Sequence, residues 1–219
     1  MSTTENKELY LQETSYFNFH SVEVINYIAD IDRQATLTEQ AIQLYNKVRD
    51  GFLYDPYHLD LRPQALICSA LLNKKRAWCV EKSIVMTACA RGLGIPARVG
   101  YAVVTNHLGD DKLELYLKRK EIVFHGYVEL YLEGKWVICT PAFDARVCRI
   151  NKVVPLEWDG KTDSLFQAFR GEEQFMEYIH YYGTFPDVPV ELMNSEMQRY
   201  YPHLFEEEFD TKAFSFHHI

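Results

Sequence analysis

The chain has 219 residues, of which 47% are hydrophobic, and its formal net charge is −8. This length and apolar content suffice for one full-sized globular core and exclude an intrinsically disordered chain. The acidic balance argues against a nucleic-acid partner, because binding to the phosphate backbone needs a basic face.

The N-terminus and the apolar runs bear on location. The first ten residues, MSTTENKELY, are polar and acidic, and they lack the basic and apolar regions of a secretory signal. The apolar runs of the chain are too short to cross a membrane. We therefore expect a cytoplasmic protein with no membrane partner, folded as one domain over residues 1–219 without a linker or repeat.

Helical patterns dominate the first part of the chain. In order, the expected elements are a strand or extended arm over 9–19, a short helix over 22–31 capped by Ser21, a helix after the capping-box residues 36–39, a helix from Pro63 to Leu72, and a helix from Cys79 to about Arg91. The helix from Cys79 is apolar around most of its circumference, so it should be buried on nearly all sides. Gly92 or Gly94 would end it in a left-handed turn.

Strand patterns follow in the middle of the chain. They predict strands over 97–104, 123–132 and 135–141, with Glu133-Gly134 as a tight hairpin turn. After Pro155 the pattern returns to loop and helix, with a helical face at Phe175, Tyr178, Ile179 and Tyr182, a last helix over 190–201 and a solvated tail. Helices followed by strands favour an α+β fold, in which an antiparallel sheet packs on a central buried helix, between a helical N-terminal part and a helical C-terminal extension.

The five cysteines bear on redox state and metal binding. They are Cys68, Cys79, Cys89, Cys139 and Cys148, and they form no CxxC pair. In a reducing compartment we expect free thiols, and the absence of Cys/His ligand spacing predicts no metal site. An odd number leaves open a lone catalytic thiol.

Cys79 is the candidate for that role. The N-terminus of a helix carries partial positive charge, which favours the thiolate of a cysteine in its first turn. The thiol needs a base, and His125 begins a strand of the sheet on which the buried helix must pack. A thiol on a helix and an imidazole on an adjoining strand is the papain-like arrangement. Taken singly, each residue would be interpreted as structural, a small core cysteine and a satisfied strand histidine.

Two segments, WCVEKSIVMTACARGLGIPARVGY and VFHGYVELYLEGKWVICTPAFD, carry a family resemblance. They resemble the transglutaminase-like superfamily of cysteine acyltransferases and proteases, most closely its uncharacterised bacterial members. The match is strongest over 77–144 and looser from about 10 to 189, with a core at about 60–155. The resemblance implies a transglutaminase-like, cysteine-proteinase-like fold with Cys79 as nucleophile, His125 as base and Glu129 nearby.

The third catalytic position departs from the family pattern. The family's aspartate would fall near Thr140, in ICTPAFD, and a threonine can offer the imidazole only a hydrogen bond. Asp144, four residues on, could take the role if the turn after Pro141 curls back. We favour Thr140, because it occupies the family's position on the strand next to His125.

The expected reaction is acyl transfer or hydrolysis at an amide bond of a peptide or protein, without a cofactor. Cys79 attacks the carbonyl, His125 carries the proton to the leaving amine, and the backbone amide of Cys79 helps to hold the oxyanion. The alternative is a catalytically silent fold that binds a peptide or protein in the same cleft. A depressed pKa of Cys79 supports the enzyme, and an ordinary thiol supports the binding module. Acetyl transfer from coenzyme A ranks last, since no coenzyme site is evident.

Overall fold

A computed structural model describes residues 7–106, 111–165, 168–170, 173–174, 176–206 and 215–218 of the chain. The α-helices are α1 (Val22–Tyr27), α2 (Leu37–Gly51), α3 (Cys68–Leu71), α4 (Cys79–Gly92), α5 (Asp111–Leu117), α6 (Ala145–Ile150) and α7 (Val190–Tyr200). The strands are β1 (Leu53–Tyr54), β2 (His58–Asp60), β3 (Arg76–Ala77), β4 (Ala97–Asn106), β5 (Glu121–Leu132), β6 (Lys135–Cys139), β7 (Ala168–Arg170), β8 (Glu173–Gln174), β9 (Met176–Phe185) and β10 (Ser215–His217). Short 3₁₀ turns cover Lys7–Leu11, Pro63–Leu66 and Pro202–Phe205.

Helix α4 is the centre of the fold, as its apolar circumference predicts. Its residues from Cys79 through Arg91 are all buried. The helix ends through Gly94, whose φ of 80° is left-handed and whose amide donates to the carbonyl of Arg91. Helix α2 packs beside it and begins with the predicted capping box, in which Thr36 and Glu39 cap each other's backbone amides.

The main sheet is antiparallel, with the strand order β6-β5-β4-β9. Glu133 and Gly134 join β5 to β6 with positive φ angles of 49° and 90°, which confirms the tight hairpin. Helix α4 lies directly against β5 at Gly126. A Cβ atom there would stand 2.8 Å from Oγ of Ser83 and 3.0 Å from the carbonyl oxygen of Cys79, so the first turn of α4 can reach the sheet only because this residue is glycine.

The sheet is irregular at the level of His125. The β4–β5 register shifts between Ala102 and Val104, and Phe124, just before His125, has a φ of 58°. The β4–β9 register shifts twice, between Tyr101 and Ala102 and between Val103 and Val104. Bulges of this kind re-aim side chains and are common beside active sites.

The fold is the predicted α+β arrangement of a buried helix on an antiparallel sheet, but the helix predicted near residue 180 is wrong. The helical face assigned to Tyr178, Ile179 and Tyr182 belongs to the strand β9, which pairs with β4; Phe175 lies outside the described residues. Tyrosine-rich segments are common in strands, where one face is half-buried. This segment forms a strand and not a helix because it pairs with the edge of β4 that β5 leaves free. The helix predicted over 63–72 is divided into a 3₁₀ turn and helix α3, because the backbone of Ile67 between them is extended.

The remaining differences concern short elements. Residues 9–19, predicted as a strand or arm, begin in a 3₁₀ turn and then run irregularly. Helix α1 stops at Tyr27, before the predicted end at 31. Helices α5 and α6 were not predicted. Each is shorter than two helical turns, which is too short for a helical spacing of apolar residues to be recognised. In the described part of the chain, no helix combines the length and apolarity needed to span a membrane.

Candidate active site

Cys79 is the first residue of α4, after the extended N-cap residue Trp78. Three backbone amides lie close enough to the sulfur to lower the pKa of the thiol, those of Gly126, Val80 and Cys79 itself. Burial is the larger effect, since the residue is only 2% exposed, and it raises the pKa of Cys79 to about 11. The expected helix-end stabilisation of the thiolate is therefore outweighed by desolvation, and the thiol is neutral near pH 7.

His125 lies on β5, between the bulged Phe124 and the glycine that contacts α4. Its ring is buried, and burial lowers the pKa of His125 to about 4. Nδ1 is buried without a hydrogen-bond partner. The imidazole is therefore neutral at physiological pH and lacks the acceptor that usually fixes a catalytic tautomer.

The third position holds two predicted candidates, and neither hydrogen-bonds to Nδ1 of His125. Thr140 follows directly on β6 and is buried. Its hydroxyl forms no well-aligned hydrogen bond, although it lies close enough to the Tyr178 hydroxyl to act on the pKa of that group. The carboxylate of Asp144 instead caps α6, accepting from the amides of Arg146 at 2.8 Å and Val147 at 3.2 Å, and it also accepts from the amide of Tyr54 at 2.6 Å. Asp144 thus ties α6 to β1, and Thr140 is the candidate with an uncommitted polar atom.

Sequence reasoning missed Tyr178 at this site. Its ring stands edge-on to His125, with centroids 5.9 Å apart and planes at 82°. Burial raises the pKa of Tyr178, the hydroxyl of Thr140 acts in the opposite direction, and Cys79 is near enough to contribute to the rise. Tyr178 therefore contacts His125 and lies beside Thr140, and it is near enough to Cys79 for an electrostatic interaction. The alternating aromatic pattern of β9 was the available signal, and the helical interpretation of that segment hid it.

Other motif residues have structural roles. Glu129 accepts from Arg98 Nε at 2.7 Å, and the guanidinium carbon of Arg98 lies 4.1 Å from the ring centroid of Trp136. This group braces the β4–β5–β6 sheet. All five cysteines are buried free thiols, as predicted. Within the described ranges, no cluster of three or more His, Cys, Asp or Glu side chains could hold a metal ion.

Comparison with known proteins places the fold in a family. The family model of the transglutaminase-like superfamily matches residues 25–141. No curated protein matches the sequence. Among solved structures, a "putative cysteine protease" from Cytophaga hutchinsonii matches at 13% identity and a TM-score of 0.47, over 64% of this chain and 43% of that one. The chain thus spans less than half the length of that protein.

Proposed function

Since the chain belongs to the transglutaminase-like superfamily, we propose that it performs thiol-dependent acyl transfer or hydrolysis at an amide bond, with Cys79 as nucleophile and His125 as base. The substrate is the amide of a peptide or protein, and no cofactor takes part. The cluster of three backbone amides around the sulfur of Cys79 is the observation that carries this proposal. Such a cluster stabilises negative charge on the sulfur or on the oxygen of a tetrahedral intermediate.

The resting pair is a neutral thiol and a neutral imidazole. Attack on the carbonyl therefore requires that the Cys79 proton pass to His125 as the carbon–sulfur bond forms, and His125 then protonates the leaving amine. In the second step water or an amine attacks the thioester carbonyl and gives its proton to His125. The carbon–sulfur bond then breaks, and His125 returns the proton to the sulfur of Cys79. In the closed site the pKa of Cys79 lies far above that of His125, so the transfer becomes favourable only when substrate entry brings water or dipoles to both groups.

Thr140 is proposed as the third residue. A neutral imidazole that accepts a proton on Nε2 must carry its hydrogen on Nδ1, and a hydroxyl can accept that hydrogen bond. The Thr140 hydroxyl and Nδ1 of His125 are both buried and both without partners, so a change of side-chain rotamer that joins them would satisfy two polar atoms at once.

The alternative function, a catalytically silent module that binds a peptide, is favoured by one observation. Burial keeps both members of the pair uncharged, which is the opposite of the thiolate–imidazolium pair of an activated cysteine. In this alternative the cleft binds but does not react.

Intact-mass spectrometry separates the two functions. The protein is mixed with a panel of peptide amides and activated esters, quenched in acid and weighed. An enzyme accumulates an acyl adduct that maps to Cys79 and disappears in Cys79→Ala. The control is Cys89→Ala, ten residues along the same buried helix, which should keep the adduct. An unmodified Cys79 across the whole panel, together with retained peptide binding, would establish the silent module.

A further inference from the structure

A narrow apolar cavity is lined in part by Cys79. The space between its walls, including the part that is open to solvent, is about 350 Å³. Trp78 and Cys79 form the wall on the side of α4. None of the described residues that line the cavity carries a charge, so its one reactive group is the thiol.

Two helices outside the central sheet and helix cover this cavity. Leu113 and Leu117 of α5 line it and are 6% and 5% exposed, whereas Leu115 between them is 80% exposed. Helix α7 contributes Met197 to the lining. Helix α5 therefore turns its apolar face onto the cavity beside the thiol.

One polar atom in the wall has nothing to bind. The indole Nε1 of Trp78 is buried without a hydrogen-bond partner. A buried donor without an acceptor is costly, and a ligand that offered it an acceptor would remove that cost. An occupant that combines an apolar group with a carbonyl oxygen matches both the walls and this donor.

We propose that this cavity is the specificity pocket of Cys79 and that it receives an aliphatic side chain or acyl chain attached to the reacting carbonyl. The inference rests on the proposed function for the identity of the reacting atom. The narrow bore favours a slim aliphatic group over a charged or strongly hydrated one, because the walls offer no partner for charge.

Binding to a non-reactive variant tests the pocket separately from the chemistry. In the full-length Cys79→Ala protein, NMR titration monitors the methyl group of Met197 with N-acetyl-leucinamide and with N-acetyl-glutaminamide. We expect the dissociation constant of the leucine compound to be at least tenfold lower, because its side chain leaves water on binding. Equal affinities within twofold, or binding of neither compound, would overturn the pocket.

Two matched variants of α5 locate the effect. Leu113→Asp in the Cys79→Ala background should weaken leucine binding at least tenfold, and Leu115→Asp, on the exposed face, should change it less than twofold. Should Leu113→Asp fail to fold, Leu113→Ala enlarges the pocket and should raise the affinity for N-acetyl-phenylalaninamide relative to N-acetyl-leucinamide. Unchanged relative affinity would overturn the assignment. If wild-type Cys79 forms no acyl adduct while the Cys79→Ala protein still binds N-acetyl-leucinamide, the proposed function is refuted and the pocket assignment stands.

Discussion

The two ends of helix α4 lie in one core, yet they differ in whether the buried polar atoms around them all have hydrogen-bond partners. At the C-terminal end Arg91, only 2% exposed, uses its guanidinium to bind the carbonyls of Ala97 at 2.9 and 3.0 Å, Gln12 at 2.7 Å and Pro186 at 2.7 Å. The same group lies 4.6 Å from the ring centroid of Phe17. Each nitrogen of the guanidinium donates to at least one carbonyl, and the group ties three segments of the chain to one helix end.

At the N-terminal end, polar atoms of three neighbouring residues are buried without partners. They are the indole Nε1 of Trp78, Nδ1 of His125 and the hydroxyl of Thr140. Native structures satisfy nearly all buried polar groups, so three exceptions beside one another call for an explanation at that place. Under the proposed function, one end of α4 serves the fold and the other end serves the reaction.

The largest expected effect tests the structural end. Arg91→Ala leaves the buried carbonyls of Gln12, Ala97 and Pro186 without a donor, and the free energy of unfolding should fall by about 3–5 kcal/mol. Urea denaturation measures this. Arg199→Ala is the control, since that side chain is 65% exposed and pairs with Glu196 at the surface, and it should cost less than about 1 kcal/mol. Similar losses in both variants would remove the distinction between the two ends.

The second prediction concerns pH at the other end. The folded pKa of His125 is about 4 against an ordinary 6.5, so the group binds fewer protons when folded, and its contribution to stability is lost as pH falls from 6.5 to 4. Burial raises the pKa of Glu81 to about 7 against an ordinary 4.5, despite its ion pair with Lys74, so its contribution is lost as pH rises from 4.5 to 7. Each amounts to about 3 kcal/mol, and they oppose each other between pH 4.5 and 6.5.

Single isosteric changes should separate the two contributions. In His125→Gln the free energy of unfolding should fall by about 3 kcal/mol from pH 4.5 to 7, and in Glu81→Gln it should rise by about as much from pH 4 to 6.5. The wild-type profile should stay nearly flat from pH 4.5 to 6.5. Urea midpoints across this range provide the measurement. Slopes of the same sign in both variants would show that burial does not govern these two groups.

The third prediction is the titration of the thiol. With a pKa of about 11 against the usual 9, Cys79 should hold about 100-fold less thiolate near pH 7 than an ordinary cysteine. Its labelling by iodoacetamide should rise about tenfold per pH unit up to about pH 10, and peptide mapping assigns the label. The urea-unfolded protein supplies the reference rate. A plateau below pH 8 would mean that the three amides outweigh burial, contrary to the balance inferred above.

Secondary structure was predicted correctly where the local sequence is compatible with a single conformation. The apolar circumference of residues 79–91 permits only a buried helix, and Glu133-Gly134 permits only a tight turn, so both were predicted correctly. The segment that became β9 fits two periods, and only the free edge of β4 selects the strand. The positions of Cys79 and His125 on their elements follow from local pattern. The desolvation that reverses the expected pKa of Cys79 does not, because it depends on packing by residues far away in the chain, such as those of α5 and α7.

The smallest effect on stability distinguishes a functional hydroxyl from a merely buried one. Thr140→Val keeps the shape of the side chain and removes a hydroxyl without a hydrogen-bond partner, so the free energy of unfolding should stay within about 1 kcal/mol of the wild type or rise. Thr87→Val is a matched control, because the Thr87 hydroxyl is also buried without a partner, in the middle of α4. Both variants should unfold at nearly the same urea concentration as the wild type.

Their effects on acyl transfer should differ. If Thr140 orients His125, its replacement should slow adduct formation on Cys79 about tenfold or more, since an unoriented imidazole samples unproductive tautomers and rotamers. Thr87→Val should leave that rate unchanged. The pH–rate profile should differ as well. Thr140→Val removes the hydrogen-bond acceptor of Nδ1 and should shift the apparent pKa of the catalytic base, whereas Thr87→Val should not, and a change in packing alone would not produce this shift. Equal rates and equal pH profiles in the two variants would mean that both hydroxyls are structural and that His125 acts without a third residue.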